Sequence, residues 1–108
     1  MITMNQLEEF IPVALISELE DEEMISVEVD DEEIMICQVD GQYYAINNIC
    51  SHAHVELSDG ELEGCFVTCP LHFSQFDVRT GQPQGPPAKS PVETYEVLVV
   101  DDQIFIKL

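Results

Sequence analysis

The chain alternates between short apolar stretches and short acidic or glycine-containing breaks, a rhythm of strands and turns. Phe10 to Ile16 reads as an edge strand, because Pro12 removes a backbone donor from any ladder it joins. Met24 to Val29 alternates with period two, with Ile25, Val27 and Val29 on one face and Ser26 and Glu28 on the other. Ile34 to Val39 is apolar at almost every position, the pattern of a strand buried on both sides. Asp40-Gly41 is a hairpin signal, and Gln42 to Ile46 returns. A last hairpin runs from Tyr95 to Val100, through Asp101-Asp102, to Gln103–Leu108, with Ile104, Ile106 and Leu108 on one face. Glu18 to Glu23 and Asp30 to Glu33 are acidic turns. Gly81 to Pro91 is an extended connector, and residues 1–9 form a short tail or a single helical turn. No amphipathic helix is evident. The expected fold is therefore all-β, an antiparallel sandwich or barrel in a single domain over residues 1–108.

One stretch departs from this rhythm. It reads Cys50-Ser51-His52, then sixteen residues, then Cys69-Pro70-Leu71-His72. Two tight loops, each with one Cys and one His, provide two sulfur and two nitrogen donors for a single centre. Between them Gly64-Cys65-Phe66-Val67-Thr68 reads as a strand. Zinc accepts such a set in a tetrahedron. A two-iron, two-sulfide cluster accepts it with thiolates on one iron and imidazoles on the other. Zinc sites of this composition usually group Cys with Cys and His with His. The mixed pairs here suit the iron–sulfur cluster better, and zinc or a metal-free pair of loops stays open on spacing alone.

Cysteine use adds little beyond this. Cys37, inside Ile34-Met35-Ile36-Cys37, and Cys65 are expected as small buried side chains rather than a disulfide pair. Charge changes the picture more. Twenty-two acidic residues face three basic ones, Arg79, Lys89 and Lys107, for a formal charge of −19. The first forty-nine residues hold thirteen acids and no base. Nucleic acid and anionic membranes are poor partners for such a surface. It fits solubility in a salty cytoplasm, steering toward a basic docking patch, or both. No apolar run reaches membrane-span length and Met1-Ile2-Thr3-Met4 is not a basic leader, so the expected location is the cytoplasm.

The paired boxes resemble those of the Rieske family. The flanking text agrees: Leu57-Ser58-Asp59-Gly60 after the first box, Phe76-Asp77 and Thr80-Gly81 after the second, then Pro87, Pro91 and Tyr95. The resemblance covers roughly residues 10 to 108. It is nearest to the small Rieske ferredoxins that feed bacterial ring-hydroxylating oxygenases. It implies one [2Fe–2S] cluster held by Cys50, His52, Cys69 and His72, in a cluster-binding subdomain spanning about residues 47 to 82 and mounted on a β base. It also implies a one-electron carrier between a flavin-dependent NAD(P)H reductase and the Rieske centre of a terminal oxygenase, without catalysis of its own. The partner encounters would be transient and the carrier a monomer. Alternatives are the Rieske-like small subunit of a nitrite reductase, whose members often lack the ligands, and a zinc-bound structural module. An oxygenase itself needs a second iron site with two histidines and a carboxylate, and only His54 is left to supply one.

Formal charge explains why such a centre accepts an electron readily. Two ferric ions, two sulfides and two thiolates sum to zero, whereas four thiolates leave a dianion. Rieske potentials accordingly span about −150 to +300 mV, above plant-type ferredoxins. High-potential members carry a disulfide between the ligand loops where this chain has Val55 and Leu71, and a tyrosine where it has Phe76. Ser74 departs in the other direction, occupying the place of a hydroxyl donor to the cluster. On balance the resemblance implies the low end of the range. Within the loops, His54 is expected to face solvent, Phe66 and Phe76 to pack, Pro70 to stiffen its loop, and Gly64 and Gly81 to supply turn conformations.

Overall fold

A computed structural model describes residues 9–51, 54–71, 73–86 and 88–108. Among the described residues, nine strands form two antiparallel sheets: β1 Ile11–Leu15, β2 Met24–Val29, β3 Glu32–Val39, β4 Gln42–Asn47, β5 Glu61–Glu63, β6 Phe66–Thr68, β7 Gln75–Asp77, β8 Thr94–Val100 and β9 Gln103–Lys107. Six of them run in the order β1-β9-β8-β4-β3-β2 and curl toward a barrel. The other three form a small sheet, β5-β6-β7. The all-β expectation holds, and β1 stands at the edge that Pro12 requires, with an irregularity in its pairing between Pro12 and Ala14.

Three hairpins explain why the turns are acidic. Asp30-Asp31, Asp40-Gly41 and Asp101-Asp102 are two-residue loops closing Val29 on Glu32, Val39 on Gln42 and Val100 on Gln103. Both residues of each loop have positive φ, between 49° and 79°. This is the mirror-image turn that matches strand twist, and aspartate and glycine tolerate it best.

The apolar run of β3 is explained by two cores. Ile34 and Ile36 point into the barrel with Leu19, Ala45, Ile104 and Ile106. Met35, Cys37 and Val39 point the other way, onto a core shared with the small sheet and its loops: Leu57, Val67, Phe76, Val78, Ala88 and Val92. β3 is thus buried on both faces. Leu108 does not join Ile104 and Ile106. It lies past the last paired residue and is exposed, because no neighbouring strand extends far enough to cover it.

Gly64 and Cys65 correct a second expectation. They form the turn between β5 and β6, with Gly64 at φ 59°, so the strand begins only at Phe66. The Gly64 amide donates to the Glu22 carboxylate at 2.6 Å, which ties this turn to the loop before β2. Cys65 is half-buried rather than buried, and Cys37 is buried; both are free thiols. Burial pushes the Cys37 thiol up to about 12, so it is inert near neutrality. Residues 1–8 of the expected tail and Pro87 lie outside the described residues.

Gly81 fixes the connector that follows β7. Its φ is 77°, its carbonyl accepts from the Val92 amide at 2.9 Å, and a Cβ there would run into the Val92 carbonyl oxygen. Gly41 has a similar φ of 79° but open space around it. Gly81→Ala should therefore cost at least about 2 kcal/mol, the left-handed penalty plus the clash, while Gly41→Ala costs about 1 kcal/mol. Urea unfolding of the two variants checks this. Equal losses would mean that the Val92 contact has no weight.

Candidate metal centre

The first ligand box lies on the loop between β4 and β5, and Asn48 pins the base of that loop. Asn48 is fully buried. Its amide donates to the Glu33 carbonyl at 2.9 Å, and its own carbonyl accepts from Leu57 at 2.6 Å. Its Oδ1 accepts from the Ser58 amide at 2.8 Å, and its Nδ2 donates to Glu56 at 3.3 Å. Backbone and side chain of one residue thereby hold both ends of the loop, the backbone amide fixing it to β3. Inside it, the Cys50 amide donates to the Val55 carbonyl at 2.9 Å and the His54 amide to the Cys50 carbonyl at 3.2 Å. Ser51 Oγ donates to the Ser90 carbonyl at 2.6 Å and fastens the loop to the connector.

The second box lies at the tip of the β6–β7 hairpin. Val67 pairs with Phe76 and Thr68 with Gln75, and the Cys69 amide donates to the Ser74 carbonyl at 2.7 Å. On its far side β7 is bonded by the connector: Asp77 N–H to the Gln82 carbonyl at 3.0 Å and Gln84 N–H to the Gln75 carbonyl at 2.8 Å. Both loops are therefore closed by backbone bonds across their bases, with a cysteine at each closure.

This arrangement brings Cys50 and Cys69 together. Both are fully buried and free, and they lie in one core cluster. Burial pushes the Cys69 thiol above its ordinary range; the Leu71 amide, donating to the sulfur, opposes this, and the Cys50 thiol adds to it. His52 and His72 lie outside the described residues, so the structure joins the two sulfur positions and is silent on the nitrogens. Ser74 Oγ is buried with no hydrogen-bond partner among the described residues. An unsatisfied buried hydroxyl costs about 1–3 kcal/mol, so its persistence beside Cys69 needs an acceptor from beyond the described residues. Two buried free thiols and such a donor fit a group rich in sulfur acceptors. Phe76 is buried in the same core, Phe66 is half-buried, and His54 is exposed, all as expected.

Comparison with known proteins decides the family. Residues 9–96 match the Rieske [2Fe-2S] domain. The chain belongs to the Rieske family. A [2Fe–2S] cluster is the cofactor of this family, and the zinc-module reading is set aside. The ferredoxin component of the naphthalene 1,2-dioxygenase system of Pseudomonas aeruginosa is 34% identical over 101 residues, covering 94% of this chain and 97% of its own. The ferredoxin of carbazole 1,9a-dioxygenase from Nocardioides aromaticivorans IC177 superposes with a TM-score of 0.87 at 35% identity, over 91% of this chain and 96% of that one. A complex of reduced oxygenase and oxidised ferredoxin of carbazole 1,9a-dioxygenase matches with a TM-score of 0.86 at 28% identity, over 91% and 92%. Like these Rieske ferredoxins, the chain is an electron carrier rather than an enzyme. Among the described residues no helix is long and apolar enough to cross a membrane.

Sequence reasoning missed Asn48, although an Asn pair directly before the first box is a turn signal. It also missed the brace at the end of β7. Asp77, nearly buried, accepts from Arg79 N at 2.9 Å, Nε at 3.0 Å and Nη2 at 2.8 Å. The Arg79 hydrogen bond is the main reason its carboxyl sits below the usual range, against an opposing effect of burial. A depressed folded-state value means stability that is present above the unfolded value of about 3.9 and lost as pH falls through the folded one. Asp77→Asn should cost about 1–2 kcal/mol at pH 7, discounted for the half-exposed Arg79. Denaturation from pH 7 down to 2 should show the variant and the parent converging below about pH 4. A gap that stays constant with pH would remove the ion pair as its cause.

Proposed function

We propose that this protein is the ferredoxin of a ring-hydroxylating oxygenase system, receiving electrons from a flavin-dependent NAD(P)H reductase and delivering them to the Rieske centre of a terminal oxygenase. The observation that carries this is the pair of buried free thiols at Cys50 and Cys69 in one core, beside a Ser74 hydroxyl with no partner among the described residues. Cys50 and Cys69 would hold one iron as thiolates, and His52 and His72 the other as imidazoles. When bound, the cluster supplies a centre that exchanges one electron at a time. The chain contributes a dry, rigid seat: Leu57, Val67 and Phe76 exclude water, and the bonds closing the two loops hold the cysteines in place. Ser74 Oγ would donate a hydrogen bond to a sulfur of the site. The ligand-binding segment, residues 47 to 82, acts as a subdomain on the barrel base. We place the protein in the cytoplasm as a monomer whose encounters bury less than about 1,200 Å², as weak redox contacts do.

Electron paramagnetic resonance of dithionite-reduced protein, prepared without added metal, tests the site. The expected signal has the low average g value of histidine-ligated clusters, with two irons and two sulfides per chain, and Cys50→Ser abolishes it. A colourless, silent protein containing zinc would overturn the assignment.

Ser74→Ala gives an independent check. A hydrogen bond to a cluster sulfur favours the more negative, reduced form, so its loss should lower the reduction potential. One bond of about 1 kcal/mol corresponds to roughly 40 mV for one electron. An unchanged potential with an intact spectrum would show that the hydroxyl does not meet the cluster.

A further inference from the structure

The acidic residues of this protein occupy both ends of the barrel and both sheets. The Asp30-Asp31 turn stands at the end where Ile34 pairs with Asn47 and the first ligand loop departs. Asp40 and the Asp101-Asp102 turn stand at the opposite end. Glu28 and Glu96 are exposed along barrel strands, and Glu61 and Glu63 along the small sheet. Steering toward a partner works by focusing a field on one face, and carboxylates spread this widely do not do so.

Little on the chain offsets the charge of −19. Among the described residues two carboxylates are in ion pairs, Asp77 with Arg79 at 2.8 Å and Glu9 with Lys107 at 3.1 Å. Many of the rest are held where they cannot move apart. In residues 18–23 five of six positions are acidic, and backbone amides fix four of those carboxylates. Glu18 accepts from Leu15 N–H and Glu23 from Glu20 N–H, both at 2.7 Å. Asp21 accepts from Asp40 N–H at 2.8 Å and Glu22 from Gly64 N–H at 2.6 Å. The Asp30-Asp31 and Asp101-Asp102 pairs are fixed by their left-handed turn backbones. At the first ligand loop, repulsion from Glu33, then from Asp59, raises the Glu56 carboxyl above its ordinary range.

We infer that the fold of this protein depends on concentrated monovalent salt, and that its carboxylates are suited to that medium rather than to guiding a partner. The counter-charge is a diffuse atmosphere of potassium or sodium ions with no fixed site. At about 0.1 M salt, charges act on one another over about 10 Å; at about 1 M the reach falls to about 3 Å. Repulsion among fixed carboxylates is strong in the first medium and largely screened in the second. The same screening extinguishes long-range steering, so the two roles call for opposite media. This inference is independent of the electron-carrier reading.

Thermal unfolding of the oxidised holoprotein, followed by circular dichroism, tests it in potassium chloride from about 0.1 to about 1 M. The melting temperature should rise by about 10 °C or more across that range. The informative variant combines Asp30→Asn, Asp31→Asn, Asp101→Asn and Asp102→Asn, because asparagine keeps the left-handed turns while removing their charge. It should melt above the parent at low salt, and the gap should shrink by at least about half at about 1 M. Exclusion of salt from the surface lifts parent and variant alike, so the narrowing isolates repulsion. Glu28→Gln with Glu63→Gln alters no turn and should show the same narrowing from a smaller gap. A melting temperature that does not rise with salt overturns the inference. So does a gap that stays constant in both variants, which would reduce their effect to local preference. Unequal effects of sodium and potassium chloride at one ionic strength would place the counter-charge at a fixed ion site and overturn its diffuse nature.

Discussion

The joint burial of the Cys50 and Cys69 thiols in one core is the constraint on which the rest of the structure converges. Each cysteine stands at the base of a loop closed by a backbone bond, Cys50 to Val55 and Cys69 to Ser74. Asn48 clamps the first loop to β3, and the β6–β7 hairpin carries the second. The core that packs beneath them is shared with the outer face of β3, so the barrel and the small sheet are joined through Met35, Cys37 and Val39. Loss of that packing would leave two short loops with few contacts, which cannot keep the two thiols buried.

Polar groups near the site fall into two kinds. Asn48 and Asp77 have their hydrogen bonds supplied by the chain and serve as braces. Ser74 has none among the described residues. In a folded protein that contrast is informative, because an unpaired buried donor is normally removed by selection for stability unless a bound group completes it. Charge does not divide in this way. Thirteen of the 22 carboxylates lie in residues 1–49, and the first ligand loop carries Glu56 and Asp59 as well. Glu56 shows the cost of crowding there: repulsion from Glu33, then from Asp59, lifts its carboxyl above the ordinary range.

Several elements were readable from local pattern because their causes are local. β2 alternates with period two, and the Asp-rich pairs can adopt the left-handed turns that close the hairpins. β3 announces double burial by being apolar throughout. β5 and β7 escaped because three residues carry too little periodicity to stand out, and Gly64-Cys65 was taken into a strand that starts only at Phe66. The two ligand boxes were plain because metal chemistry restricts residue type and spacing more tightly than packing does.

The all-β class, the hairpin turns, the excess of acid and the two Cys/His boxes were legible in the amino-acid sequence, since each is written in residue type or short-range order. The three-dimensional arrangement alone shows that Asn48 clamps the first loop, that Asp77 is held by Arg79, that Ser74 is buried without a partner among the described residues, and that Phe73 is exposed in the second loop. Those four depend on which distant segments come together, and burial and hydrogen-bond satisfaction acquire meaning only once the neighbours are in place.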